Sequence, residues 1–173
     1  MRKHQFIALI LALLLTLSLS GCAADQEVKE ELFAMNALID VVAYGSHAKQ
    51  GVSDARAVFT SMEALLDPEL ESSKVYAINH AEGAATVVNA QLAGMIQTAQ
   101  TVSERTEGAL DLTVYPLVKA WGFIDEQYNV PDEATIAPML ENMGMDRISL
   151  SPDQENSGYL LTMPAGTQIT LAA

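Results

Sequence analysis

Basic residues and cysteine are scarce in this chain. Of its 173 residues only 9 are Lys or Arg, against 22 Asp or Glu, giving a formal net charge of -13. Binding to nucleic acid needs clustered cations to neutralise phosphates, so DNA and RNA are excluded as partners. A lone Cys allows no internal disulfide and no CxxC-type structural zinc site. The signatures GxGxxG, GxxxxGKS, HExxH and GxSxG are also absent. No apolar run reaches the roughly 20 residues that a membrane-spanning helix needs. Disorder is excluded as well: charged residues make up 18% and apolar ones 50%, a balance that predicts a folded domain.

What is present starts with Met1-Arg2-Lys3-His4, an unbroken apolar run from Phe6 to Leu15, and then Leu19-Ser20-Gly21-Cys22. A basic start followed by a short apolar stretch is the pattern of a secretory signal. Small residues before a Cys, with Leu three positions upstream, resemble the lipobox of bacterial lipoproteins, which implies acylation of Cys22. Two or three acyl chains hold a protein stably on a membrane. The expected location is therefore the extracytoplasmic side of a bacterial cell membrane, with residues 1–22 as signal, the acidic stretch Ala23–Glu31 as tether and residues 32–173 as the working domain. Without Arg2 and Lys3 the acidic excess grows, so anionic headgroups repel this domain and the lipid must hold it.

Along the domain, β-branched and aliphatic residues from Leu32 to Tyr44, ending at Gly45, predict a strand. From Ala48 to Leu66, residues Val52, Ala55, Val58, Phe59, Met62, Leu65 and Leu66 recur at three- and four-residue spacing and predict an amphipathic helix that stops at Asp67-Pro68. Ser72–His80 reads as a loop or single turn, and Ala85–Val88 as a short strand. Asn89 is positioned to cap a second helix, with Leu92, Met95, Ile96, Ala99, Val102 and Ser103 on one face and an end at Gly108. A third helix is predicted over Asp132–Met143. The period then shortens to two, so Arg147–Leu150, Tyr159–Met163 and Thr167–Leu171 read as strands. The fold class is mixed α/β (α+β). An apolar strand ending at Ala173 suggests a chain cut within a sheet, since exposed strand edges invite aggregation.

Candidate chemistry is sparse. His4, His47 and His80 are scattered: His4 falls in the signal, and solvated loop positions account for His47 and His80. The informative stretch is Thr106-Glu107-Gly108-Ala109-Leu110-Asp111-Leu112-Thr113-Val114-Tyr115-Pro116-Leu117-Val118-Lys119-Ala120-Trp121-Gly122-Phe123. From the residues alone, Asp111 with Thr113 fits a helix cap and Trp121 with Phe123 a core anchor.

The same stretch resembles the T-[DE]-G-A-F-D-P-T-V-x-P-L-V-x-x-W-G-F signature of the ApbE family, the FAD:protein FMN transferases. Ser73–Asn79 resembles the family's S-x-x-x-x-x-N element, and Phe33-Ala34-Met35-Asn36-Ala37 its opening strand. The resemblance runs in order over about residues 32–171. It implies an enzyme that uses Mg²⁺ to break the pyrophosphate of FAD and places FMN on a Thr hydroxyl of a target protein, a flavoprotein subunit of a membrane electron-transport complex, releasing AMP. It further implies that Met35 lies against the flavin and that Ala109, Leu110 and Asp111 form the turn that approaches the dinucleotide. Backbone flanked by small residues suits such an approach.

Several positions depart from the family pattern. Glu69 falls near a flavin-contacting Tyr of many members, Ala37 replaces Thr, Leu112 replaces Pro, and Thr170 stands where Gly166–Ala173 should carry an Asp. The family's following Lys-Gly, and the later His and Asp-x-x-Thr region with its metal ligands, have no counterpart in the sequence. The leading expectation is the N-terminal half of an FMN transferase, inactive alone. The competing one is a non-catalytic membrane-anchored lipoprotein that binds flavin or docks a partner, and an unrelated α/β lipoprotein with a chance motif is a third.

Overall fold

In the computed structural model, residues 26–155 and 157–171 are described, and they fall into two compact units, one up to Phe59 and one from Thr60 onward. Residues 1–25, with the expected signal and Cys22, lie outside the described residues.

The first unit holds an antiparallel hairpin of β1 (Val28–Ala34) and β2 (Ala37–Ala43), in register from Val28 opposite Ala43 to Ala34 opposite Ala37. The single strand expected over Leu32–Tyr44 is therefore broken. Met35 and Asn36, both left-handed at φ 53° and 56°, reverse the chain. Two consecutive positive φ angles make the tight turn whose twist matches that of the flanking strands. Asn tolerates this conformation, but Met does so rarely, which hid the turn from a sequence reading. Residues 28–31, assigned by composition to the tether, form the first half of β1. There Val28 and Glu30 alternate with exposed Lys29 and Glu31, and Lys29 donates to Asp40 across the hairpin at 2.9 Å. That hydrogen bond raises the Lys29 ammonium above its ordinary pKa.

Helix α1 (Ala48–Leu66) has the bounds its apolar spacing predicts, with Ala48, Val52 and Leu66 buried and Val58 turned outward. It begins in the first unit, where Arg56 pairs with Glu30 of β1, and ends in the second.

The second unit contains α2 (Lys74–Asn79), where a loop or single turn was expected. Ser73 caps it by accepting the Tyr76 N–H at 2.9 Å and donating its hydroxyl to the Asp67 carbonyl. Next come β3 (Thr86–Val88) and α3 (Ala90–Arg105). Asn89 caps α3, accepting from the Leu92 N–H at 2.9 Å. Leu92, Ala93, Ile96, Ala99 and Ser103 form its buried stripe, while Val102, expected inside, is exposed. Replacing Asn89 by Ala should lower stability by about 1 kcal/mol, and Asn89→Ser by far less, measured by urea denaturation followed by circular dichroism.

A 3₁₀ turn (Leu112–Val114) runs directly into α4 (Tyr115–Ala120), and α5 (Glu133–Glu141) starts at its cap Asp132. Hydrogen bonding to Thr135 holds the Asp132 carboxyl below the ordinary carboxylate pKa. A second 3₁₀ turn (Met145–Arg147) precedes β4 (Ser149–Asp153) and β5 (Gly158–Thr162), so the strand expected from Arg147 starts two residues later. β5 is the centre of an antiparallel sheet ordered β3-β5-β4, with Leu161 fully buried.

Residues 167–171 are not a strand. Thr167, Ile169 and Thr170 are buried, with Ile169 and Thr170 adjacent rather than alternating, and their backbone is bonded elsewhere. The Ile169 N–H donates to Asn79 Oδ1 at 2.8 Å and its carbonyl accepts from Asn79 Nδ2 at 2.9 Å. The Thr170 N–H donates to the Leu112 carbonyl at 2.9 Å. A side chain and a turn thus take the bonds that a neighbouring strand would have taken.

Candidate functional site

The 106–113 segment starts where α3 ends. Glu107 and Gly108 both adopt left-handed angles, and the Gly108 N–H returns to the Ser103 carbonyl at 2.8 Å, so the chain leaves the helix at a sharp angle. Ala109 and Leu110 then lie exposed, and Asp111 is half-buried. Leu110 borders a shallow groove along the outer side of α3, floored by Gly94, Met95, Thr98 and Val102.

Asp111 is the cap of the 3₁₀ turn, as its chemistry alone suggested. Its Oδ1 accepts both the Thr113 N–H at 2.8 Å and the Thr113 hydroxyl at 2.6 Å. The polarity of that hydroxyl is fixed, because Thr113 Oγ1 itself accepts the Gly144 N–H at 2.7 Å. The Leu112 N–H meets the Met145 sulfur at 3.2 Å, and the Leu112 carbonyl holds residue 170. The turn is therefore tied to 144–145 and, through 169–170, to Asn79. A buried donor left unpaired costs about 1–3 kcal/mol, so these bonds fix the backbone of 111–113 firmly.

Two partnerships here had no signal in the sequence. Glu69 accepts the Tyr115 hydroxyl and, at 2.8 Å, the Lys119 ammonium, which lies 5.9 Å from the centre of the Tyr115 ring. Tyr115 is the buried aromatic of the region. Trp121 is only half-buried and Phe123 is exposed, so Phe123 is not the core anchor expected of it. His47 and His80 sit in local contacts: His47 Nδ1 lies 3.0 Å from the Ser46 hydroxyl, and His80 stacks on Tyr76. Met35, at the hairpin turn, belongs to the first unit, whereas Ala109, Leu110 and Asp111 belong to the second.

Among the described residues no group of three or more His, Cys, Asp or Glu side chains could hold a metal ion. Mg²⁺ requires an octahedral oxygen set, and the Asp111 carboxylate is already engaged by Thr113. No cluster of described side chains makes up that set.

Residues 35–173 match the ApbE family model. The chain belongs to the ApbE family. Its curated relatives include the FAD:protein FMN transferase of Escherichia coli K12, 32% identical over 75 residues, covering 42% of this chain and 21% of that protein. That of Salmonella typhimurium LT2 is 27% identical over 122 residues, covering 67% of this chain and 35% of that protein. The fold is shared with solved ApbE proteins. The Thermotoga maritima ApbE protein superposes with a TM-score of 0.76 at 22% identity, over 85% of this chain and 48% of that one. The apo flavinyl transferase ApbE of Pseudomonas stutzeri does so with a TM-score of 0.71 at 20% identity, over 84% and 47%. This ApbE chain thus spans about half the length of the solved relatives it matches.

Proposed function

We propose that this ApbE chain is the dinucleotide-holding part of an FAD:protein FMN transferase. In the proposed reaction a Thr hydroxyl oxygen of a target flavoprotein bonds to the FMN phosphorus of FAD, the pyrophosphate bond breaks, the hydroxyl proton is lost and AMP leaves. Positioning carries much of such a phosphoryl transfer. The observation that supports the reading is the convergence around the Asp111 turn: the segments carrying three of the family-like elements, 73–79, 106–123 and 166–171, are hydrogen-bonded to one another there. Ala109 and Leu110 are exposed there for close approach of a dinucleotide, and Asp111 orients its polar groups. The reaction is Mg²⁺-dependent by family resemblance, and this chain's described residues contribute binding and orientation rather than ligands to the ion. The same reading places the protein on the extracytoplasmic face of a bacterial membrane through Cys22, facing a flavoprotein subunit of an electron-transport complex.

A non-catalytic flavin-binding or docking role is the second reading, supported by the engagement of the Asp111 carboxylate with Thr113. One experiment separates them. The purified chain is heated with FAD, with and without Mg²⁺, and incubated with an acceptor-Thr flavoprotein fragment that is then weighed by mass spectrometry. FAD at about 100 times its Kd should stabilise by about 2.7 kcal/mol, a rise in Tm of roughly 5–10 °C. Asp111→Asn, which keeps the accepting Oδ1, should shrink that rise. An FMN adduct would establish transfer by the chain itself, a Tm shift without one would leave it as a flavin holder that does not transfer alone, and no shift at all would remove flavin binding from both readings.

A further inference from the structure

A rigid apolar knob follows α4. Phe123 and Tyr128 are 53% and 67% exposed and meet edge to face with ring centroids 5.6 Å apart, and Val130 is 81% exposed. Exposed aromatics on a loose loop would mean little, but this loop is locked. Gly122 is left-handed and so closely packed that a Cβ there would overlap the Gln127 carbonyl. The Asn129 N–H donates to the Trp121 carbonyl at 3.2 Å, and its side-chain amide to the Ala120 carbonyl at 2.9 Å. Presenting aromatic rings on a fixed backbone lowers the ordering cost of binding, and such anchors dominate protein interfaces. The surrounding charge has one sign: residues 121–133 hold Asp125, Glu126, Asp132 and Glu133, all exposed, and no Lys or Arg.

We propose that residues 121–133 form a docking surface for a protein segment combining Lys or Arg with apolar side chains. The apolar residues of that segment cover Phe123, Tyr128 and Val130, and its cations meet Asp125 and Glu126 at the tip. This goes beyond FMN transfer and does not depend on it. Complementary charge of this kind sets partner choice and the rate of encounter, and it weakens with salt.

The test uses the chain's own reporter, because its only Trp, Trp121, lies at the base of the loop. A synthetic Trp-free peptide of alternating Leu and Lys is titrated against Trp121 fluorescence, with a Leu/Glu peptide in parallel. The expected result is saturable binding of the Leu/Lys peptide alone. It should weaken at least tenfold in Phe123→Ser and in Val130→Ser, and lose most of its salt dependence in an Asp125→Asn, Glu126→Gln variant. Val130→Ser alters an almost fully exposed side chain, so it keeps the test decisive if Phe123→Ser does not fold. No binding would overturn the proposal. So would an equal loss in a Glu104→Gln, Glu107→Gln control, which would reveal general attraction to an acidic protein. Self-association in the ultracentrifuge abolished by Val130→Ser would overturn it too, by showing a second copy as the occupant.

Discussion

Alanine in place of Asn79 is expected to lower the free energy of unfolding by about 2–4 kcal/mol, because it strips two backbone groups of their partners at once. Asn79 is 6% exposed and bonds both the N–H and the carbonyl of Ile169, a residue with no exposure. Among the described residues neither group has a strand beside it to turn to, since residues 167–171 lie outside the sheet. Domains of this size are stable by only about 5–15 kcal/mol, so the loss is a large share of the whole. Asn79→Asp is the sharper probe. A carboxylate keeps the acceptor for the Ile169 N–H but sets negative charge against the Ile169 carbonyl, so at neutral pH it should do no better than alanine. Protonation restores a donor, so the variant should regain stability relative to wild type as the pH falls through the carboxyl's pKa. Urea denaturation at several pH values measures this, and amide exchange at Ile169 locates it. An Asn79→Ala protein as stable as wild type would mean that water replaces the side chain without cost.

Thr113→Val should cost about 2–3 kcal/mol although the two side chains are nearly the same size. Thr113 is fully buried, so no cavity and no new contact enters the comparison. What goes is the hydroxyl that accepts from Gly144 and donates to Asp111. The Gly144 N–H and the Asp111 carboxylate each lose a partner. Thr113→Ser keeps both bonds and loses only a methyl group, so it should stay within about 1.5 kcal/mol of wild type. If the Asp111 turn holds FAD, Val but not Ser should also reduce the FAD-induced rise in Tm. Equal losses in the two variants would trace the effect to packing instead.

The contrast between these residues shows what a linear reading can reach. Helix α1 was legible to the residue because its apolar spacing and the Asp67-Pro68 stop are local signals, and the Asn89 cap was legible for the same reason. The hairpin was not, because Met35-Asn36 lacks the glycine that usually marks such a turn. Val102 and Phe123 were placed inside because apolar character predicts burial only on average. The family was legible from residues 106–123, where the pattern is short and contiguous. Its geometry was not: the link from Asn79 to Ile169 joins residues 90 apart, and no periodicity encodes it. Residues 167–171 show the limit most clearly, since their sequence reads as a strand while adjacent Ile169 and Thr170 are both buried and their hydrogen bonds go to an amide side chain and a turn.

That distant pairing also has a meaning in time. During synthesis Asn79 emerges some 90 residues before Ile169. At about 5–20 residues per second, its amide waits roughly 5–20 s for its partner. Over that interval α2 and α3 can form from local contacts, while the Asp111 turn lacks the crosslink that fixes it. The turn's rigidity thus arrives only after Ile169 and Thr170 are made, well after the turn's own residues.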